Sequence, residues 1–435
     1  MTEWLKEYNY IKGYATKYKL RNTLKALTLA RMYHEGQTRY SGEPYIIHPL
    51  MVCKNLILLN VEKVLHEWYP DKSMKRVRVQ CDILYAAALL HDVIEDRDLP
   101  KRGEELVKVY LLDEEVLVVA RLLTKYPKKK KHLWDKVYDP EKYFGEIAKD
   151  WRASLIKIVD RAHNCSTMQV FKEEKMKEYI LETIKYIYTL CVECELRYPE
   201  FSNIIAIEKN LIASICESLA SILGMQDVIK DEQEGYEKTI NFIEGATRTD
   251  MPNTYKALFI ACKVHEGQKR TSGDPFIIHP LRVCSYLMAL DVNSDVAYAS
   301  ALLHEVPRKP GNTIQSSEKL FREYGIEEDV INVVNLVSDK SKPMDIYYSD
   351  IKKNPWALLE KLSNRAHTCT FLAKASSEDL VEYIKENKQY IIPLCKDGML
   401  YYPQYANMIE IMQSHILAIS NIIEIVSKNQ ISNKG

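Results

Sequence analysis

The feature that most constrains the fold of this chain is that part of it is written twice. The stretch Ala30-Arg-Met-Tyr-His34-Glu-Gly-Gln-Thr-Arg39-Tyr-Ser-Gly-Glu-Pro-Tyr-Ile-Ile-His48-Pro-Leu returns 231 residues later as Ala261-Cys-Lys-Val-His265-Glu-Gly-Gln-Lys-Arg270-Thr-Ser-Gly-Asp-Pro-Phe-Ile-Ile-His279-Pro-Leu. A repeat of this kind sets the folding unit before any element is assigned. The offset falls to 213 where Tyr85-Ala-Ala-Ala-Leu-Leu-His91-Asp92 meets Tyr298-Ala-Ser-Ala-Leu-Leu-His304-Glu305. It settles at 204 where Asp160-Arg-Ala-His163-Asn164 meets Asn364-Arg-Ala-His367-Thr368. The first copy therefore carries 18 extra residues. They fall around Glu62 to Val79, whose Tyr69-Pro-Asp and mixed charges read as a surface excursion. The expected division is a first domain at 1–225, a charged connector at 226–250 and a second domain at 251–435.

Within each copy the apolar spacing is helical, as in Leu211, Ile215, Leu219 and Ile222, and no alternating strand series stands out. Only 14 glycines occur in 435 residues, against about 7% in average proteins. The expectation is all-α, with two helical bundles in tandem. Sixty basic and sixty acidic residues cancel, so no net field draws the chain to nucleic acid or to anionic lipid. No apolar run approaches the roughly 18 residues of a membrane span, and no signal peptide opens the chain. A cytoplasmic protein with reduced, buried cysteines is expected. The lone pair Cys191 and Cys194 reads as structural, without a second pair to complete a zinc site. The oligomeric state is left open, a homo-oligomer included.

Chemistry concentrates in Ala86-Ala-Ala-Leu-Leu-His91-Asp92-Val-Ile-Glu95-Asp96, where an apolar run turns acidic. On a helix His91, Asp92, Glu95 and Asp96 share a face. Alone, such a run also describes a helix leaving the core and meeting water. Further ligand types lie at His48, in the first turn of a helix restarted after Ser41-Gly-Glu-Pro, and at Asp160. Residues so far apart in sequence converge when helices of one bundle face each other. Two imidazoles and two carboxylates suit Mn(II), Fe(II) or zinc.

The motifs Gly36-Gln-x-Arg39-x-Ser41-Gly-Glu-Pro-Tyr-Ile-Ile-His48-Pro-Leu, Leu89-Leu-His91-Asp92-Val-Ile-Glu95-Asp96 and Lys157-Ile-Val-Asp160-Arg-Ala-His-Asn164 resemble the hydrolase domain of RelA/SpoT-type alarmone enzymes, in the HD phosphohydrolase superfamily. The resemblance covers most of residues 20 to 200 and, weakened, 250 to 400. It implies metal ligation by His48, His91, Asp92 and Asp160, with Mn2+ the usual ion. It implies that Glu95 and Asp96 handle the attacking water, that Arg39 lies against the purine base with Ser41 in the same loop, and that Asn164 and Thr167 line the nucleoside and phosphate pocket. The implied reaction removes the 3′-pyrophosphate of guanosine tetra- or pentaphosphate, leaving GDP or GTP.

The residue types agree with that chemistry, because a carboxylate one turn from the ligands can accept a proton from water. A multiply charged nucleotide also needs cations, for which Arg39, Lys125, Lys157 and Arg161 are candidates. Lys157 and Arg161 could instead form ion pairs that hold Asp160 and its helix. Lys128 to Lys131 reads as a solvated loop or as a loop that attracts polyphosphate. His34 and His163 recur in both copies, which favours packing or hydrogen bonding to ligands over direct metal contact.

The second copy keeps the frame but replaces Asp92 with Glu305, Asp160 with Asn364, and the Glu95-Asp96 pair with Arg308-Lys309 after Pro307. No catalysis is expected there. Arg270, Ser272 and Gly273 retain the substrate-loop pattern, so that copy is either a packing partner or a regulatory nucleotide site. The alternatives to alarmone hydrolysis are an HD phosphohydrolase of a related nucleotide, such as the adenosine analogue of the alarmone or a nucleoside phosphate, and a non-catalytic sensor acting through the second copy.

Overall fold

The computed structural model describes residues 3–95, 109–125, 138–225, 240, 250–269, 275–368 and 377–432. Helices make up the regular structure of the described residues, and the only β contacts among them are the isolated bridges Thr38 to Pro44 and Lys269 to Pro275. The all-α expectation holds. The chain divides into two compact units, Met1–Ile212 and Ala213–Gly435, with the division inside the helix Ser202–Ile222. Apart from Ile240 and Asp250, the expected connector lies outside the described residues.

Unit 1 is built round the helix Met74–Glu95, which packs on Arg21–Tyr33, Ile47–Leu58, Val61–Trp68, Glu114–Leu123 and Trp151–Cys165. Its Ala86-Ala-Ala-Leu-Leu run consists of strong helix formers, and it is buried on every side. A helix apolar all round belongs inside its bundle. The helix Trp151–Cys165 is likewise buried from Ala153 through His163. Asp150 starts it by accepting from the backbone N–H groups of Arg152 and Ala153 at 2.8 and 3.3 Å.

The excursion expected at 62–79 is largely exposed, as expected, and is anchored to the bundle by the buried Leu65 and Val77. Val61 and Leu65, one turn apart, are buried in the helix Val61–Trp68. In unit 2 residues 290–294 join Ile278–Ala289 directly to Asp295–Leu303.

A buried aspartate anchors the start of the second helix of unit 1. Asp82 accepts from the N–H groups of Asn22 and Thr23 at 2.9 and 2.8 Å, from the Thr23 hydroxyl at 2.7 Å and from the Asn22 amide at 3.0 Å. Asp295 of unit 2 makes the same four contacts, with Asn253 and Thr254. Each unit also has a π-helical turn, Thr183–Ile187 and Asn387–Ile391, that meets a buried arginine. Arg161 donates to the Thr183 hydroxyl at 2.9 Å, and Arg365 donates to Asn387 Oδ1. Among the described residues no helix is long and apolar enough to cross a membrane. The nine described cysteines are free thiols. Burial raises the thiol pKa of Cys191, and that of Cys194 to about 11, as inert core thiols require.

Candidate metal centre

Three helices deliver the four candidate ligands of unit 1. His48 is the second residue of Ile47–Leu58, whose Pro49 is tolerated because a first-turn residue needs no N–H partner. The chain reaches that helix through a tight turn, with Gly42 N–H donating to the Arg39 carbonyl and Arg39 N–H to that of Glu43, both at 2.9 Å. Gly42 has φ +83°, a conformation that favours glycine. His91 and Asp92 lie in the last turn of Met74–Glu95, and Asp160 lies in Trp151–Cys165.

These side chains meet at one buried point. His48 Nε2 stands 3.1 Å from Asp160 Oδ1 and 3.3 Å from Asp92 Oδ2. His91 Nε2 stands 3.3 Å from Asp92 Oδ1 and 3.8 Å from Asp160 Oδ1.

The surrounding hydrogen bonds fix the tautomers. A carbonyl can only accept, so His91 Nδ1–H donates to Ala88 O, at 2.7 Å. In the neutral ring His91 Nε2 then points its lone pair inward, buried and without a hydrogen-bond partner. Arginine can only donate, so His163 Nδ1 accepts from Arg39 Nη1, at 3.3 Å. It therefore also accepts from His48 Nδ1–H at 2.8 Å, which turns the His48 Nε2 lone pair inward as well. Two imidazole lone pairs facing two carboxylates is an arrangement that a cation completes. The donor set fits a divalent metal ion, and His48, His91 and Asp160 form a group able to hold one.

The two carboxylates draw positive charge to this point: burial works against a charged His91, but Asp92 and Asp160 outweigh it and carry its pKa up to about 9, so a divalent ion would displace a proton from Nε2. Burial opposes ionisation of Asp160, yet Lys157, His48 and His91 hold it well below the usual carboxylate range. Burial, His48 and Arg39 keep His163 neutral, well below the ordinary histidine value.

A second layer holds the ligands. Lys157 Nζ donates to Asp160 Oδ2 at 2.9 Å, and the Asn164 amide donates to Asp160 Oδ1 at 2.6 Å. Arg39 Nη2 donates to Asn164 Oδ1 at 2.6 Å. The Tyr45 hydroxyl donates to Asp92 Oδ2 at 3.0 Å. Sequence reasoning missed Tyr45, although the repeat carries its signal: the matching residue of the second copy is Phe276, opposite the altered Glu305.

The other candidates lie further out. Ser41 is exposed in the turn before His48. Thr167 spends its hydroxyl on the carbonyls of His163 and Asn164, at 3.4 and 3.3 Å. Lys125 donates to Glu182 Oε1 at 3.2 Å, an oxygen that also accepts from Arg161 at 2.9 Å. Lys157 thus pairs with Asp160, whereas Arg161 serves Glu182. The Glu95 side chain, Asp96 and Lys128 to Lys131 lie outside the described residues, as do Arg270, Ser272 and Gly273.

Unit 2 gathers His279, His304 and Glu305 in the same manner. Its helix stops at Leu303, and Pro307, which has no N–H, sits in the short turn Val306–Arg308 that follows. Arg308 donates to Glu305 Oε1 at 2.9 Å and to the Val337 carbonyl at 2.6 Å, and Lys309 donates to the Val264 carbonyl. Asn364 turns its amide to Glu360 Oε1 at 3.3 Å.

A helical bundle that closes two imidazoles and two carboxylates round one buried point is a helical scaffold with a side-chain group able to hold a metal ion. Comparison with known sequences is more specific, although no family model matches the chain. The chain is 32% identical over 165 residues to the guanosine-3′,5′-bis(diphosphate) 3′-pyrophosphohydrolase of Borreliella burgdorferi, covering 37% of this chain and 21% of that protein. It is 34% identical over 161 residues to the protein of the same name in Aquifex aeolicus, 37% of this chain and 20% of that one. It is 31% identical over 175 residues to the bifunctional (p)ppGpp synthase/hydrolase SpoT of Escherichia coli K12, 40% of this chain and 22% of that one. The chain is related to the RelA/SpoT-type hydrolases, and the matched stretch spans about a fifth of each of these three relatives.

Proposed function

We propose that unit 1 is a metal-dependent hydrolase that removes the 3′-pyrophosphate of guanosine tetra- or pentaphosphate, leaving GDP or GTP. The observation that carries this reading is the convergence of the inward-facing His48 and His91 nitrogens on the Asp92 and Asp160 oxygens. Relatives named as guanosine-3′,5′-bis(diphosphate) 3′-pyrophosphohydrolases support the choice of substrate.

In this reading His48, His91, Asp92 and Asp160 hold the ion, taken as Mn2+. A divalent ion there supplies Lewis acidity towards a phosphate oxygen and lowers the pKa of water. The chain does the rest. His163 orients His48, Tyr45 orients Asp92, and Lys157 balances Asp160. Glu95 and Asp96 follow the ligands and take the proton from the attacking water. Arg39, tethered to Asn164, presents its guanidinium plane to the base, with Ser41 in the same loop. Lys125, Asn164 and Thr167 face the nucleoside and its phosphates.

We read 1–225 as the hydrolase domain, 226–250 as a connector and 251–435 as a degenerate second copy. The matching aspartate anchors, isolated bridges and π turns of the two units support common descent. The Arg308 to Glu305 contact supports loss of catalysis in unit 2, because it sets a guanidinium on the carboxylate that would face an ion. Free thiols support a reducing, cytoplasmic setting.

Incubation of the purified chain with Mn2+ and guanosine tetraphosphate is expected to release pyrophosphate, and Asp92→Ala to abolish that release. Absence of release from the wild type, or equal release from Asp92→Ala, sinks the reading.

A further inference from the structure

The residues that lengthen the first copy wall a cavity of about 510 Å³ in unit 1. Its volume lies within the range of about 300–1,000 Å³ typical of small-molecule pockets. The floor is apolar and fixed, with Leu65 and Val77 only 6% and 2% exposed. Two aromatic side chains, Tyr69 and Trp151, contribute to the wall. Trp151 is held from behind by stacking on the buried Phe201, with ring centroids 4.8 Å apart.

Three exposed cations, Lys72, Lys75 and Arg76, stand round the same space. The single lining carboxylate, Glu200, accepts from the Tyr69 hydroxyl at 2.8 Å. The Lys72 ammonium lies over one face of the Tyr69 ring, 3.8 Å from its centre, so the cation is held against the aromatic wall. None of these residues belongs to the His48, His91, Asp92 and Asp160 cluster.

We propose that this cavity binds a nucleoside polyphosphate, its base against the aromatic wall and its phosphates among Lys72, Lys75 and Arg76. Each part of the lining answers one part of such a ligand. Cations without apolar walls would suit any anion, and aromatic walls without cations any flat molecule; stacking plus charge selects a nucleotide. The site is independent of the hydrolase reading.

Its place in the fold is informative. Residues 75–80 of the lining belong to the first turns of Met74–Glu95, the helix that ends at His91 and Asp92. Trp151 is the first residue of the helix that carries Asp160. An occupant therefore touches the starts of two helices whose later turns deliver three of the four candidate ligands.

The test titrates GTP into the full chain carrying Asp92→Ala and Arg39→Ala, with EDTA present, and reads binding by calorimetry, so that hydrolysis, a metal and product binding at Arg39 do not contribute. One saturable site is expected. The combined variant Lys72→Ala, Lys75→Ala, Arg76→Ala should weaken it at least tenfold with an unchanged melting temperature, since all three side chains are exposed. Tyr69→Leu should weaken GTP more than inorganic triphosphate. Undetectable GTP binding, or GTP binding unaffected by the triple variant, overturns the proposal. So does inorganic triphosphate binding as tightly as GTP, which would mark a mere patch of charge. Pyrophosphate release from the unmodified chain is measured separately, so failure here leaves the hydrolase reading standing.

Discussion

Lys157 Nζ and Asp160 Oδ2 lie 2.9 Å apart on one buried helix turn, while Asp160 Oδ1 lies 3.1 Å from His48 Nε2. One carboxylate thus serves an internal cation on one side and the candidate metal point on the other. Removing one partner of a buried ion pair costs about 3–5 kcal/mol, because the other charge is left uncompensated. Lys157→Met should therefore lower the stability of the metal-free chain by about 3 kcal/mol. Added Mn2+ should recover part of that loss by replacing the missing positive charge. Thermal unfolding in EDTA and in Mn2+ measures both effects, and a loss indifferent to the ion would show that Asp160 does not face one.

His91 gives the direct test of metal binding. Its Nε2 is buried without a hydrogen-bond partner, and its Nδ1–H is already engaged by the Ala88 carbonyl. Truncation to alanine removes one donor while leaving Asp92 and Asp160 in place. His91→Ala is expected to lower the bound divalent ion by about one equivalent per chain, read by elemental analysis after desalting. Unchanged metal content would place the ion elsewhere.

Much of this arrangement was legible before the fold was known, for physical reasons. Helical periodicity and scarce glycine pointed to bundles, and the repeat picked out His48 and His91 as shared by both copies and Asp92 and Asp160 as positions where the copies diverge. Contacts between distant residues were not legible in the same way. Tyr45 and Asp92 are 47 positions apart, and Thr23 and Asp82 are 59 apart, so no local rule pairs them. The repeat could have supplied the second pair, since Asn253, Thr254 and Asp295 stand at the matching positions. The 62–79 stretch read as a surface excursion because its charges are conspicuous. Most of it is exposed, and what the charges hid is the helix Val61–Trp68, whose Val61 and Leu65 on one face anchor it to the bundle.

The aspartate anchors should matter to folding rather than to chemistry. Asp82 satisfies two backbone N–H groups and two side-chain donors at the start of Arg21–Tyr33, and it is only 7% exposed. Leaving such donors buried and unpaired costs about 1–3 kcal/mol each before relaxation, and losing a helix cap alone costs about 1 kcal/mol. Asp82→Ala should destabilise by about 2–4 kcal/mol in denaturant unfolding, and Asp295→Ala by a similar amount. A loss below about 0.5 kcal/mol for either would show that water replaces the contacts.

Glu208 predicts a pH effect in one direction. It is 2% exposed, and burial lifts its carboxyl to about 8. Between the unfolded value near 4.5 and pH 8, the folded chain binds this proton and the unfolded chain does not. The contribution of Glu208 to stability therefore falls as pH rises through that window. Glu208→Gln keeps the shape without the titration and should raise the melting temperature relative to wild type at pH 8, with little difference at pH 4.5. Parallel melting curves for the two proteins across that range would refute the assignment.

Lys361 predicts the opposite slope, and the comparison with Lys157 explains why. Both follow the same pattern three residues before position 160 or 364, but Asp160 has become Asn364, so Lys361 has lost the carboxylate that Lys157 keeps. Its ammonium reaches the Tyr347 hydroxyl at 3.3 Å. Burial, with Lys340, Arg308 and Arg365 nearby and only partly offset by Glu386, brings its pKa down to about 7. From pH 7 up to its ordinary value near 10.5, the unfolded chain holds this proton and the folded chain does not, so stability rises with pH across that window. Below pH 7 the folded chain must bury the charge. Lys361→Met should therefore stabilise the protein by on the order of 2 kcal/mol at pH 6 and progressively less towards pH 10. Unfolding of wild type and variant in the same buffers measures the difference, which cancels groups common to both. A gap that does not shrink with rising pH would mean that Lys361 keeps its charge in the folded state, balanced by a counter-ion.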